Sequence, residues 1–372
     1  MAISLPHGDT EVRVLILHAL RREGGGTRRL KTWQDLFAEV GAETELLSVL
    51  PGNSTGVSLS LGALREVVSS RAAPESIVWS RSELVRRISR TPPDVAVCVT
   101  ARSFSPFVVT ELKRLGARNV VVDLVDPLSV SYSQRARILH GASSFAYRVL
   151  ASAAARSEKQ LQRTDSQIVV AGWDDSRSTG AMWLPILLEE RSAEVARSDQ
   201  PMAWEAVFFG SLDYAPNIEA VERLAAHIWP RVRLQLPDAT IAVAGRRASR
   251  RVLKAVKEPG IRFIGEFDDL NEIAGQALVA VSPLVAATGM QIKVLDAAQR
   301  GLAQVVSPAA VRGFEPSFPA RIAEDDDAFA DAIVDLIGDS RERDRLASSA
   351  RDHVTRRYSV KAWSDFARGL ME

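Results

Sequence analysis

Three stretches of this chain carry groups that could hold a phosphate or a sugar. The first is Thr288-Gly289-Met290-Gln291-Ile292-Lys293-Val294-Leu295-Asp296. Its glycine leaves backbone amides open at a helix start, its lysine supplies positive charge for a diphosphate, and a carboxylate at i+3 from the lysine can accept ribose hydroxyl hydrogen bonds. Spacing alone favours a plainer reading, a surface Lys293–Asp296 ion pair worth roughly a few tenths of a kcal/mol. The second is Gly245-Arg246-Arg247 after an apolar run at 240–244. Arginine at a strand's carboxyl end suits a phosphate, and an exposed loop arginine fits the same residues equally well. The third is Gly24-Gly25-Gly26, whose amides can approach a phosphate or sugar ahead of a helix; an unliganded loop is the alternative. Counting from Gly24, Arg29 occupies the third glycine position of the dinucleotide fingerprint, which disfavours a nicotinamide site.

Other reactive side chains are read more plainly. The five histidines, His7, His18, His140, His227 and His353, show no metal-ligand spacing. His18 ends the first apolar run, where a site role is possible; His227 falls in an amphipathic helix and reads as structural. The one cysteine, Cys98, lies inside Val95-Ala96-Val97-Cys98-Val99 and reads as a buried thiol. Glu324-Asp325-Asp326-Asp327 contains Asp-x-Asp, a spacing that can hold a divalent metal. It precedes the apolar pattern Phe329, Ile333, Leu336 and is read instead as a helix N-terminus, where carboxylates oppose the macrodipole. Arg135, Arg137, Arg148, Arg156, Lys159 and Arg163 bias the middle of the first half towards positive charge, as a solvated helix face or a peripheral contact with an anionic membrane.

These residues need a frame. The 372 residues suit two domains, and a formal net charge of +1 gives no global field for nucleic acid. Hydrophobic and charged residues, 46% and 25%, are those of a globular protein. No signal-peptide pattern or membrane-spanning run is present, so a cytoplasmic protein, at most peripheral at the membrane's inner face, is expected. Short apolar, β-branched runs predict strands at 12–17, 44–49, 94–99, 119–125 and 167–171, then at 206–209, 240–244, 261–264, 278–282 and 303–306. Helical patterns separate them. Leu30, Trp33, Phe37 and Val40 form one stripe, and Ile218, Val221, Ala225 and Ile228 another behind Asn217, read as an N-cap. Polar residues 189–203 read as a linker. The expected fold is α/β, two Rossmann-like doubly wound domains facing across a cleft, with ligands at the carboxyl ends of the strands.

In order and spacing these pieces resemble the family 4 (group 1) glycosyltransferases, especially a bacterial subgroup linked to exopolysaccharide assembly. In the first half the resemblance rests on the strand at 12–17, the Gly24–Gly26 loop, Arg28-Arg29-Leu30-Lys31-Thr32-Trp33, and Val122-Asp123-Leu124-Val125-Asp126-Pro127. In the second it rests on Phe209-Gly210-Ser211-Leu212-Asp213-Tyr214-Ala215-Pro216-Asn217, Ile261-Arg262-Phe263-Ile264-Gly265-Glu266, and the stretch from Pro283 to Gly301.

The resemblance implies a GT-B fold, with an acceptor-side domain at 1–190, a nucleotide-sugar domain at 204–358 and a C-terminal helix at 359–372 returning to the first domain. It implies a retaining, hexosyltransferase-type enzyme without cofactor or required metal, using a UDP- or GDP-linked donor and a glycan, lipid-linked or small-molecule acceptor. Gly25, Gly26, Ser211, Arg246, Glu266, Phe267, Thr288, Gly289, Met290, Gln291, Lys293 and Asp296 would line the donor site. Lys293 and Arg246 would meet the diphosphate, Asp296 the ribose, and Glu266 and Phe267 the base. Arg102 and Asp126 would act on the acceptor side. The chain departs from the family where Ser211 and Asn217 replace phosphate-clamping cations, where Thr288 and Asp296 replace a glutamate pair, and where Trp183-Leu184-Pro185-Ile186 replaces a Gly-Val-Asp turn. Those departures keep open a non-catalytic partner of a glycosyltransferase. A nucleotide-sugar epimerase of the same architecture needs cleft carboxylates that the sequence does not place.

Overall fold

The structure is a computed structural model describing residues 12–18, 25–48, 86, 88, 92–99, 106–188, 202–287 and 289–372. Arg102 and Thr288 lie outside the described residues. The chain divides into two compact units: Met1–Ala171, Thr179–Leu187 and Val360–Glu372 form the first, and Gly172–Ser178 and Leu188–Ser359 the second.

In the first unit, β1 (Val14–His18), α1 (Gly25–Glu39), β2 (Thr44–Ser48) and β3 (Val95–Val99) are followed by α2 (Pro106–Arg114) and β4 (Asn119–Val125). Then come α3 (Leu128–Ile138), α4 (Gly141–Leu161), β5 (Gln167–Val170) and β6 (Met182–Trp183), while the intervening α5 (Trp173–Thr179) belongs, but for Thr179, to the second unit. The strands form one parallel sheet, β2-β1-β3-β4-β5-β6. Its strands are apolar on both faces because both are covered. Leu15, Leu17, Ala96, Cys98 and Val122 pack with Val108 and Leu112 of α2. Val14, Ile16, Val95, Val97 and Val99 pack with Leu30, Trp33, Leu36 and Phe37 of α1. Cys98 is buried as expected, and desolvation raises its pKa to about 12, which keeps the thiol protonated and unreactive.

The second unit runs β7 (Trp204–Phe209), α6 (Ala215–Arg223), α7 (Trp229–Gln235), β8 (Ile241–Ala244), α8 (Arg250–Ala255) and β9 (Ile261–Gly265). It continues through α9 (Leu270–Ala274), β10 (Ala277–Ser282), α10 (Ile292–Gln299), β11 (Ala303–Val306), α11 (Pro308–Val311) and β12 (Arg321–Ile322). Helices α12 (Asp326–Gly338) and α13 (Ser340–Arg357) close it, and α14 (Ser364–Met371) belongs to the first unit. The sheet order β12-β11-β10-β7-β8-β9 is parallel throughout and doubly wound, with its switch point between β7 and β10. Both short edge strands, β6 and β12, escape the apolar-run pattern because each has only 2 residues.

Two expectations about helix starts change. Gly25 and Gly26 are the first residues of α1, so they form its opening turn rather than a free loop. Asn217 is not a cap: Tyr214 precedes α6, Pro216 supplies the fixed φ of the first turn, and Asn217 is buried inside that turn. The acidic run does form a helix start. Asp325 accepts from the Ala328 amide at 2.8 Å, while Asp326 and Asp327 pair with Arg223 and Arg231. Among the described residues no group of three or more His, Cys, Asp or Glu is placed to hold a metal, and no helix is long and apolar enough to cross a membrane.

Candidate functional site

The switch point of the second unit gathers the features a phosphate site needs. β7 ends at Phe209 and turns through Gly210; β8 ends at Ala244 and turns through Gly245. Both glycines have positive φ, 154° and 151°, and the two turns touch. A Cβ on Gly245 would overlap the Gly210 carbonyl oxygen, and one on Gly210 would lie 2.9 Å from Asn217 Nδ2 and 3.2 Å from Lys293 Nζ. Glycine at both positions therefore lets the two turns pack against each other, with Gly210 directly beside Asn217 and Lys293. The turn order is locked by hydrogen bonds from the Gly210 amide to Ala244 O (3.1 Å) and the Gly245 amide to Gly265 O (2.7 Å).

Lys293 enters this crevice from the second residue of α10. Its Nζ donates to Asn217 Oδ1 at 2.5 Å and stands 4.3 Å from the ring centroid of buried Phe208. Asn217 Nδ2 in turn donates to the Ser211 carbonyl at 2.8 Å. The ammonium thus has an aromatic face and one amide oxygen as its neutral supports. Desolvation lowers the Lys293 pKa to about 7. The surface ion pair expected from spacing is not what Lys293 makes. Asp296, three residues on, is buried and sits 3.7 Å from Arg300 of its own helix.

The remaining residues expected at the donor site sort by position. Ser211 Oγ donates to Asp213 Oδ1 at 2.8 Å and receives Arg247 Nη2 at 3.2 Å, while Arg247 pairs with Asp213 at 2.9 Å. Arg247 is thereby tied to its own turn, and Arg246 beside it is exposed. Gly289, Met290 and Gln291 form the turn into α10, with Met290 and Gln291 buried. Glu266 is exposed and Phe267 half-buried just past β9, the far edge strand. Lys293, Ser211 and the Gly245–Arg246 turn are brought together at the switch point. Gly25, Gly26 and Asp126 belong to the first unit, at the carboxyl ends of β1 and β4. His18 is the last residue of β1, and burial lowers its pKa.

Asp126 is presented by a strained turn. Val125, a β-branched residue, has φ 58°, and the β4–β5 register shifts there. Its amide donates to Asp123 Oδ1 at 2.9 Å, and its carbonyl receives Ala171 N at 2.9 Å. Asp123 is fully buried and also binds Arg29 Nε (2.5 Å), Arg29 Nη2 (3.1 Å) and Trp33 Nε1 (2.7 Å). Arg29 Nη1 donates to Leu184 O and Pro185 O at 2.6 and 2.8 Å. Every arm of this ion pair has a partner, so it ties α1, β4 and the segment after β6 into one unit. Sequence reasoning gives Asp123 and Arg29 no site-shaping role, and Asn217 only those of a cap and of a substitute for a phosphate-clamping cation. For Asn217 a signal existed: it sits four residues before Val221, a polar side chain at a core position.

Comparison with known proteins fits this geometry. Residues 204–339 match the family described as glycosyl transferases group 1. The matched stretch lies within the second unit. Solved structures match over nearly the whole chain. Sucrose-phosphate synthase of Thermosynechococcus elongatus is 14% identical over 96% of this chain and 98% of its own, with a TM-score of 0.68. Anabaena HepE, solved with UDP and glucose, is 13% identical over 96% and 98%, at 0.62. The α,α-trehalose 6-phosphate synthase of Burkholderia multivorans is 12% identical over 97% and 98%, at 0.60. At such identities the likeness is one of fold, the two-domain α/β architecture called GT-B. No curated protein matches the chain.

Proposed function

We propose that this protein is a retaining glycosyltransferase that takes a sugar from a UDP- or GDP-linked donor held by the second unit. The observation that carries the reading is Lys293. A lysine held by an uncharged amide and an aromatic face, at the switch point of a doubly wound sheet, does not spend its charge, when protonated, on a carboxylate and can offer it to an anion. The family match over residues 204–339 and the UDP, glucose and UDP-glucose in the HepE structures support the same substrate class.

In this reading the donor diphosphate meets Lys293 and the first-turn amides of α10, beside the turn at Gly210. Arg246, exposed and next to Gly245, adds a second cation. As the glycosidic bond breaks, negative charge grows on the diphosphate, and a fixed ammonium stabilises that charge more than the ground state. No metal is needed for that step if Lys293 and Arg246 supply the charge. Asp296 accepts ribose hydroxyls, Glu266 and Phe267 lie on the base side, and Arg102 and Asp126 act on the acceptor. The acceptor is a growing surface glycan, a lipid-linked glycan or a small molecule.

Release of nucleoside diphosphate from a panel of nucleotide-sugars, by the pure chain without metal, tests this. Turnover with one donor, lost in Lys293→Ala, supports the reading. The tethering of Arg247 to Asp213 favours a second reading, a non-catalytic partner of another transferase, since it withdraws one cation from the crevice. Tight donor binding with no turnover under any acceptor would select that reading.

A further inference from the structure

Helices α3 and α4 form an antiparallel hairpin whose two faces differ sharply. The inner seam is fixed by Ser144 Oγ donating to Ala136 O (2.7 Å), Tyr147 against Tyr132 (5.8 Å between rings) and Glu158 accepting from the Ser129 amide (3.1 Å). Ser144, Tyr147, Ala151, Ala154, Glu158 and Leu161 recur at helical spacing along that seam, with Ser144, Ala151, Ala154 and Leu161 buried. Helix α3 starts just past the end of β4, and residues 144–158 pair along it. Of the described residues of α3 and α4, only Leu161 joins the two core clusters that flank the sheet.

The outer face does not read as an ordinary solvated surface. Phe145 is 69% exposed, Val149 51%, and Leu139 at the hairpin turn 37%. Arg148, Arg156 and Lys159 share the α4 face with Phe145 and Val149, at i+3, i+11 and i+14 from Phe145, and all three are exposed. Residues 128–161 hold five basic side chains, Arg135, Arg137, Arg148, Arg156 and Lys159, against one acidic, Glu158, in a chain whose formal net charge is +1. Glu158 is turned inward onto Ser129, so the outer face keeps the positive excess. A solvated helix face does not gain by exposing a phenylalanine and a valine one turn apart.

We propose that the outer face of this hairpin docks on an anionic lipid surface. Phe145, Val149 and Leu139 enter the headgroup boundary while Arg148, Arg156 and Lys159 engage lipid phosphates. The charge of the face selects this occupant: an apolar surface meeting a second copy of itself would bring like charges together. The inference is independent of the donor site, which lies in the other unit.

The test is sedimentation of the full-length protein with vesicles of phosphatidylcholine alone and of phosphatidylcholine mixed with phosphatidylglycerol, at low and high salt. Binding to the mixed vesicles only, weakened by salt, is expected. Phe145→Ser with Val149→Ser should lower the partition by about tenfold or more. Arg148→Glu with Arg156→Glu should lower it by about fivefold for each charge lost, or more. All these positions are exposed, so circular dichroism and nucleotide binding should stay at wild-type values in both variants. Absence of binding to the mixed vesicles at low salt overturns the proposal, as does binding that neither double variant changes. A wild-type dimer that becomes monomeric in Phe145→Ser/Val149→Ser, without vesicle binding, assigns the face to a second copy and overturns it too.

Discussion

The low pKa of Lys293 makes donor affinity depend on pH in a defined direction. A nucleotide-sugar carries a fixed diphosphate charge between pH 6 and pH 8, so any change in affinity over that range belongs to the protein. With a pKa of about 7, Lys293 is roughly nine-tenths charged at pH 6 and roughly one-tenth charged at pH 8. Binding that requires the ammonium must then weaken by about tenfold, ~1.4 kcal/mol, across those two units. The sign for folding is opposite. A lysine whose folded pKa is lowered disfavours the folded state wherever it is charged, fully below about pH 7, and this cost is relieved as pH rises towards the unfolded value. Donor binding therefore weakens over the range in which Lys293 destabilises the fold less. Calorimetric titration of one nucleotide-sugar at pH 6, 7 and 8 reads the slope. Lys293→Gln should bind weakly at every pH with no slope. Wild-type affinity that is flat or rises from pH 6 to pH 8, or a slope retained in Lys293→Gln, would refute the reasoning.

Three further outcomes follow from the geometry. Gly245→Ala drives a Cβ into the Gly210 carbonyl oxygen at a left-handed φ, so it should cost about 3 kcal/mol and lower the melting temperature; an unchanged melting curve contradicts the close approach. Asp123→Ala leaves Arg29 charged and unpaired in the core and should destabilise by about 3–5 kcal/mol in urea unfolding, whereas less than about 1 kcal/mol would show that the pair does not hold the first unit together. Glu315, after α11, is buried, which opposes its ionisation. Hydrogen bonds from His353 and Tyr358 and the positive charge of His353 outweigh that burial and draw its pKa down to about 2. Its contribution of about 3 kcal/mol is present above the unfolded carboxylate value and lost as pH falls towards 2. Glu315→Gln should remove that part of the acid dependence, and an unaltered stability curve between pH 5 and pH 2 would speak against it.

Much of the fold is legible in the sequence because parallel strands covered on both faces leave continuous apolar runs. The stretches 119–125 and 303–306 correspond residue for residue to β4 and β11, and the stripe Leu30, Trp33, Phe37 marks the buried face of α1. Strands of two residues carry no such pattern, which is why β6 and β12 are silent. The candidate site is less legible. Lys293 stands out as a lysine in an apolar helix start, but its partner Asn217 is 76 residues away, and spacing offers a nearer and mistaken one in Asp296. Arg29 and Asp123 lie 94 residues apart within ordinary-looking segments, and only the folded sheet shows that they neutralise each other. Local spacing reports helical neighbours; contacts across a doubly wound sheet are set by strand order, which no window of sequence contains.

In the proposed function the second unit binds a nucleoside diphosphate at Lys293. The most direct test is calorimetric titration of the pure protein with UDP and GDP, without metal, for the wild type and Lys293→Ala. Micromolar binding of one nucleotide by the wild type, weakened at least tenfold in Lys293→Ala, is the predicted result. Equal binding by both proteins, or none by the wild type at any nucleotide, would contradict it.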